Sequence, residues 1–199
     1  NHGSGTVTMT YAGNTLIQLS SGTLAFNTFT YNASGRTLEL RSPMSCAGNL
    51  TLTAGTLDTK SGTNHALTVT GTITVNSSSN TANLSINDSA VSCAKLIVES
   101  ADTITAAHSS NALTVTGTGI KMNGTGNIHT LTINHASCGV FTHTDSAGIT
   151  VEGDLTITAG TLNTSEQGGS DKNLTVTGHV SVTGTLTGNA STITIGSLK

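Results

Sequence analysis

Short runs in which an aliphatic residue alternates with a small polar residue recur along the whole chain. They are LTLT at 50–53, LTVT at 67–70, LSIN at 84–87, LTVT at 113–116, LTIN at 131–134, LTIT at 155–158 and LTVT at 174–177. Because side chains alternate between the faces of a strand, each run predicts a short half-buried β-strand. The sequence lacks the i, i+3, i+4, i+7 spacing of amphipathic helices, and we expect essentially no helix.

Longer segments also repeat. NLTLTAGTLDT at 49–59 returns as DLTITAGTLNT at 154–164, and NHALTVTGT at 64–72 returns as SNALTVTGT at 110–118. The leucines at 50, 67 and 84 are 17 residues apart, and those at 113 and 131 are 18 apart. We interpret this spacing as the length of one coil. We interpret the segments 49–59 and 154–164 as equivalent positions in two different coils.

Repeats of this size with Gly-Thr and Asn-Gly corners predict an all-β fold, a parallel β-helix or β-solenoid in which each coil stacks on the one before. The alternative is an antiparallel β-sandwich, which also uses short, regularly spaced strands. We expect one domain, with residues 1–46 as diverged N-terminal coils or a cap and residues 47–199 as the repetitive solenoid. The segment LAFNTFTYNASG at 24–35 departs from the pattern and is the candidate cap.

Four blocks carry a resemblance to known proteins: GNLTLTAGTLDT, ALTVTGTITV, GDLTITAGTLNT and LTVTGHVSVTGTLTGNASTITIGSL. Together they resemble the Thr/Gly-rich strand-repeat proteins of bacterial surfaces and phage fibres, over about residues 48–198. The resemblance implies a parallel β-helix and a role in a surface or virion fibre.

Composition argues against several functions. The 7 Lys and Arg residues are scattered and the formal net charge is -3, so we expect no nucleic-acid partner. No apolar run is long enough to cross a bilayer, and we expect no membrane insertion. The chain has no Trp, 3 Phe and 2 Tyr, which leaves few platforms for stacking bases or sugars. The chain starts with Asn rather than Met, and we expect it to be a processed or excised piece.

The three cysteines share one local setting. Cys46, Cys93 and Cys138 each follow a Ser and lie 47 and 45 residues apart. This spacing predicts that the cysteines occupy equivalent positions on successive long repeats, where small buried thiols would serve a structural packing role. A disulfide within or between chains is the alternative.

Two candidate sites for chemistry remain as weaker alternatives. His129, His135 and His143, with Asp145, would give a metal site if they lined one face of a coil, although no CxxC motif is present. Glu152 and Asp154 alternate onto one face and could form an acid/base pair. The ten acidic residues are otherwise spread along the chain, and we expect no enzyme, no metal and no cofactor.

The sequence therefore favours a structural protein: a rigid subunit of an extracellular, cell-surface or virion fibre that self-associates head to tail or laterally. One alternative is an adhesin or carbohydrate-binding solenoid that recognises a cell-surface glycan through Phe26, Phe29, Tyr31 and Phe141. Another is an ice-binding solenoid, which needs Thr-x-Thr at one position in every coil. The flanks vary among TVT, TGT, SIN and THT, and Thr is also simply a favoured polar strand residue.

Overall fold

The chain is built of strands and the turns that join them. The computed structural model describes residues 3–60, 62–77, 81–99, 101–105, 110–122, 126, 128–136, 140–142, 149–164, 171 and 173–199. None of these residues is helical, as the alternating pattern predicts.

Nineteen strands follow one another along the described chain. They are β1 (Thr6–Met9), β2 (Thr15–Ile17), β3 (Leu24–Phe26), β4 (Thr28–Leu40), β5 (Met44–Cys46), β6 (Leu50–Asp58), β7 (Leu67–Val75), β8 (Ala82–Ser85), β9 (Ala90–Val98), β10 (Thr103–Thr105), β11 (Ala112–Met122), β12 (Thr130–Asn134), β13 (Val140–Thr142), β14 (Ile149–Val151), β15 (Leu155–Ala159), β16 (Thr161–Asn163), β17 (Leu174–Val182), β18 (Thr185–Thr187) and β19 (Ile193–Leu198).

Every strand pairing in the described chain is parallel. Long strands such as β4, β6 and β7 bend around a corner and pair on both sides of it, which joins the ladders into one 17-stranded sheet, with β16 and β18 as a separate pair. This is a parallel β-solenoid, and the antiparallel sandwich is wrong.

Each turn contributes a strand segment to three sides, which we name by their inward-facing ladders. Face A contains Val7, Phe29, Leu50, Ile73, Leu96 and Ile120. Face B contains Leu24, Met44, Leu67, Val91, Leu113, Leu131, Leu155, Val180 and Leu198. Face C contains Leu38, Leu57, Leu84 and Ile104, and in the C-terminal half this third side is formed by β14 and the first parts of β17 and β19.

The interpretation of the 17-residue spacing as one coil is wrong. Leu50, Leu67 and Leu84 lie on faces A, B and C, so this spacing moves from one side to another. Their register partners in the next coil are Ile73, Val91 and Ile104, which lie 20 to 24 residues later in the sequence. The 18-residue spacing does measure one coil, because Leu113 and Leu131 are direct partners on face B.

The repeated segments 49–59 and 154–164 likewise do not occupy equivalent positions in two coils. Leu50 belongs to face A, whereas Leu155 belongs to face B. What the two segments share is a corner: the side chains of Asn49 and Asp154 accept a hydrogen bond from the backbone N–H of Thr72 (2.9 Å) and of His179 (2.8 Å), each in the next coil. The repeated sequence therefore specifies the hydrogen-bonded corner that precedes a strand, and this corner occurs before strands of more than one face.

The core is a column of inward-facing aliphatic side chains, most of them with no exposed surface. Phe29 and Tyr31 lie inside this column, because Phe29 is paired with Val7 on one side and Leu50 on the other. Segment 24–35 thus sits within the stack of coils rather than over its end.

Candidate functional site

The two ends of the solenoid leave part of the core uncovered. Seven hydrophobic residues pack against the core but are only partly buried, and all lie in the first or last strands: Val7, Met9, Ile17, Phe26, Leu186, Ile193 and Ile195. The large hydrophobic side chains that are exposed among the described residues lie there too: Tyr11, Leu16, Leu19, Val182 and Leu198. Leu198 is 75% exposed although it continues the buried ladder of face B.

Charge is absent from both end regions. Residues 3–35 contain no Asp, Glu, Lys or Arg, and residues 173–198 contain none either. Lys199 follows at once, and its ammonium group lies 3.5 Å from the carboxylate of Asp154 in the same chain. A hydrogen bond from the backbone N–H of His179, together with Lys199, lowers the pKa of Asp154. The ends therefore combine open apolar surface with strand edges that carry almost no charge.

Face B presents an unbroken row of hydroxyls to solvent, which we name the hydroxyl ladder. Its members are Ser45, Thr68, Ser92, Thr114, Thr132, Thr156 and Ser181, each the direct register partner of the next. No side-chain hydrogen bond ties any of these hydroxyls to another described residue. By contrast, the hydroxyls of Thr116 and Thr158, near the edge of the same face, donate to backbone carbonyls of the preceding coil.

The outward ladders of the other two faces are interrupted. On face A the row Thr8, Thr30, Thr51 and Thr74 gives way to Ile97 and Lys121. On face C the outward row is Leu16, Glu39, Asp58, Ser85 and Thr105. Of the three sides, face B alone keeps small hydroxyl residues at every level of its row between Ser45 and Ser181. The sequence missed this because the coil length was assigned incorrectly.

A shallow groove of 540 Å³ lies on face C near the N-terminal end. Asn14, Thr15, Leu16, Thr37, Glu39 and Arg41 line it. Glu39 Oε1 accepts a hydrogen bond from Arg41 Nε at 2.6 Å and lies 3.5 Å from Lys60 Nζ. The Arg41 hydrogen bond holds the pKa of Glu39 below its usual value. The charged groups thus neutralise one another, as expected for a solvated ion-pair cluster.

Two of the three predicted structural cysteines lie in the described chain. Cys46 and Cys93 are buried free thiols in one inward ladder, separated by Val69. Val115 and Ile133 occupy the next levels of that ladder. Cys138 lies outside the described residues. Burial raises the pKa of Cys46 to about 11 and that of Cys93 to about 12.

The weaker candidates for chemistry are not brought together. Among the described residues no three His, Cys, Asp or Glu side chains are grouped so that they could hold a metal ion. His143 and Asp145 lie outside the described residues. Glu152 and Asp154 are in the bend between β14 and β15 rather than on a strand, and Asp154 bridges to the next coil.

The aromatic residues proposed for glycan recognition belong to the core instead. Phe29 and Tyr31 have no exposed surface, and the ring of Phe26 packs 4.8 Å from that of Phe29. The side chain of Phe141 lies outside the description. Tyr11, which is 62% exposed, is the aromatic residue that sequence reasoning missed.

The fold defines the class: the chain is a parallel β-solenoid. Comparison with protein-family models, with curated proteins and with solved structures gave no match. No helix in the described chain is long and apolar enough to span a membrane.

Proposed function

We propose that the chain is a structural protein, a rigid rod segment of an extracellular, cell-surface or virion fibre. Its face B core ladder continues from Leu24 to Leu198, and every strand pairing among the described residues is parallel. In such an architecture each coil contacts only its neighbours, so adding coils adds length without changing the fold. Neither the groove on face C nor the predicted acidic pair offers an arrangement for catalysis, and we propose no enzymatic activity.

The uncharged, apolar surfaces of the first and last described coils are the observation that carries this proposal. Natural sheet edges are protected by charged residues, prolines or covering segments, and terminal repeats of solenoids have polar outer surfaces. Here both end regions lack charge and expose apolar side chains, including Leu16 and Leu198. Burying such surface against another rod end is favourable by about 25 cal/mol per Å² of apolar area. We propose that further coils cover these apolar surfaces in the assembled fibre.

Electron microscopy and sedimentation at a series of concentrations test the proposal. We expect rods that lengthen as concentration rises. Leu198→Lys places a charge on the last level of the face B core ladder, where the side chain is 75% exposed, so it should keep the fold and stop the lengthening. Thr116→Lys, at an exposed position midway along the rod, is the matched control and should lengthen like the parent chain. Rods of one chain length at every concentration would refute the proposal.

The hydroxyl ladder favours a second candidate, an ice-binding surface. Parallel neighbours in a sheet are about 4.8 Å apart, so the seven hydroxyls of face B form one regularly spaced, uncharged row. Hydroxyls that have no hydrogen-bond partner among the described residues are free to hold water in a fixed arrangement. The variation among Thr-x-Thr flanks matters less than the sequence suggests, since the regular feature is the ladder itself.

Ice-crystal shaping in a cooled droplet tests this second candidate. The parent chain should shape crystals. Thr114→Tyr, in the middle of the hydroxyl ladder, should abolish shaping, whereas Thr51→Tyr on face A should preserve it. Round, unshaped crystals with the folded parent chain would eliminate this role and leave the structural proposal untouched.

A further inference from the structure

The groove on face C brings polar side chains of two neighbouring coils together. Thr37 and Glu39 alternate outward along β4, and Arg41 follows directly after that strand. Asn14 and Leu16 border the same space from the preceding coil, where Leu16 is the register partner of Glu39. The groove has a volume of 540 Å³, which lies within the range of about 300–1,000 Å³ that small-molecule sites occupy.

Hydrogen bonds within the chain hold the side chains that border the groove. Asn14 Oδ1 accepts a hydrogen bond from the backbone N–H of Thr37 at 3.0 Å, which connects the two coils at this point. Arg41 Nε donates to Glu39 Oε1 at 2.6 Å, so the guanidinium and the carboxylate lie side by side. Because these groups are already in place, a ligand that meets them loses less affinity to the ordering of side chains.

The same groups keep hydrogen-bonding capacity that no described residue uses. Those atoms are Asn14 Nδ2, the hydroxyl of Thr37, Glu39 Oε2 and the two terminal nitrogens of Arg41. The carboxylate only accepts hydrogen bonds and the guanidinium only donates them. A ligand that meets both must therefore donate and accept at neighbouring atoms, which is the property of two adjacent hydroxyls.

The charges around the groove balance. Glu39 and Asp58, which is its register partner in the next coil, supply two negative charges, and Arg41 and Lys60 supply two positive charges. This balance gives neither an anion nor a cation an electrostatic advantage over a neutral ligand. Leu16 is 48% exposed and forms the apolar part of the wall, where C–H groups of a ligand can pack.

We propose that this groove binds a neutral saccharide. One sugar hydroxyl donates to Glu39 Oε2, and an adjacent hydroxyl accepts from a terminal nitrogen of Arg41. Asn14 and Thr37 contact a further hydroxyl, and one C–H face of the sugar ring packs against Leu16. The site adds glycan recognition to the structural role and is independent of how the rods assemble.

A glycan array followed by calorimetric titration tests the site. The parent chain is applied to an array of neutral and sialylated oligosaccharides, and a soluble neutral oligosaccharide that it binds is then titrated. Glu39→Gln removes the charged acceptor, and Arg41→Gln removes the paired donors. Each should lower the affinity at least about tenfold, as expected for the loss of a hydrogen bond to a charged group.

Glu99→Gln is the matched control. Glu99 accepts a hydrogen bond from Lys121 of face A at 2.7 Å, so this variant also disrupts an ion pair between coils but does not alter the groove. It should bind the oligosaccharide like the parent chain, and urea midpoints show that all three variants are folded.

Three results would overturn the proposal: no neutral oligosaccharide bound by the folded parent chain, binding confined to sialylated oligosaccharides, or unchanged affinity in folded Glu39→Gln and Arg41→Gln variants. None of these results bears on the fibre role, which is measured separately by the length of the rods.

Discussion

Cys93 lies two levels from Cys46 in one inward-facing ladder, with Val69 between them. Two strand spacings amount to about 10 Å, so these thiols are too far apart for a disulfide, which needs a Cα separation below about 7 Å. Both are buried, and they fill levels of the core that valine and isoleucine fill elsewhere. The pair therefore packs as small apolar side chains.

Burial makes these two thiols unreactive in the folded protein. With the pKa of Cys46 at about 11 and that of Cys93 at about 12, both remain protonated near neutral pH, and the thiolate is the reactive form. Iodoacetamide at pH 8 should leave both unmodified in native protein and alkylate both in urea, as read by peptide mass spectrometry. Rapid native labelling of Cys93 would contradict this burial.

The same shifts predict how stability depends on pH. A folded-state pKa raised above the unfolded value of 9.0 means that the unfolded chain loses its protons first. The contribution of these thiols to the free energy of unfolding is therefore complete below pH 9.0 and declines as pH rises toward about 11 to 12. Urea midpoints measured across this window should fall less steeply in a Cys46→Ala, Cys93→Ala variant than in the parent chain.

The corner at Gly55 should tolerate no side chain. Gly55 has φ of 81°, and an added Cβ would collide with the carbonyl oxygens of Ala33 and, at 2.7 Å, of Arg36. Gly22 is the matched control, since its φ is 89° but nothing lies within 4 Å of an added Cβ. Gly22→Ala should cost roughly 1–2 kcal/mol for the left-handed backbone alone. Gly55→Ala should cost about 3 kcal/mol or more. Equal urea midpoints for the two variants would show that the close approach is unimportant.

The buried carboxylate of Asp102 stabilises the corner between β7 and β8. Asp102 has no exposed surface and accepts hydrogen bonds from the backbone N–H of Ser77 (2.8 Å), the Ser77 hydroxyl (2.6 Å) and the backbone N–H of Ala82 (2.9 Å). Asp102→Ala leaves two backbone donors without an acceptor, at about 1–3 kcal/mol each. Ser77→Ala removes one hydrogen bond and should cost only about 1 kcal/mol. Thermal or urea unfolding of both variants measures the difference, and similar losses would contradict this role of Asp102.

The alternating runs were sufficient to predict the strands, because side-chain direction along a strand depends only on sequence parity. The repeated segments predicted the parallel stacking of coils. They could not identify which side a run occupies. Leu50 and Leu67 head nearly identical runs, yet one faces the core from face A and the other from face B. That assignment depends on where the chain turns, and the turns are irregular in length. The hydroxyl ladder became visible only after the register had aligned Thr68 with Ser92 and Thr114.

The apolar character of the last coils was predictable. The sequence shows strand-like residues up to Leu198 and no charge in residues 173–198. The N-terminal end was harder, since the aromatic residues at 26–31 looked like a cap. Phe29 and Tyr31 fit the core because they are the register partners of the apolar residues Val7 and Met9 in the preceding coil, 22 positions earlier. Only the three-dimensional register reveals such a contact.

Removing the hydroxyl of Tyr31 should stabilise the fold, whereas the substitutions at Gly55 and Asp102 should destabilise it. Tyr31 has no exposed surface, its hydroxyl has no hydrogen-bond partner among the described residues, and burial raises its pKa. Leaving a buried polar group unpaired costs about 1–3 kcal/mol, so Tyr31→Phe should raise the free energy of unfolding by roughly 1 kcal/mol. Phe29 lies two residues before Tyr31 in the same strand and is equally buried. Phe29→Leu removes packing and should lower the free energy of unfolding. Urea titration of the two variants supplies both values, and a loss of stability in Tyr31→Phe would mean that the hydroxyl has a partner the fold does not reveal.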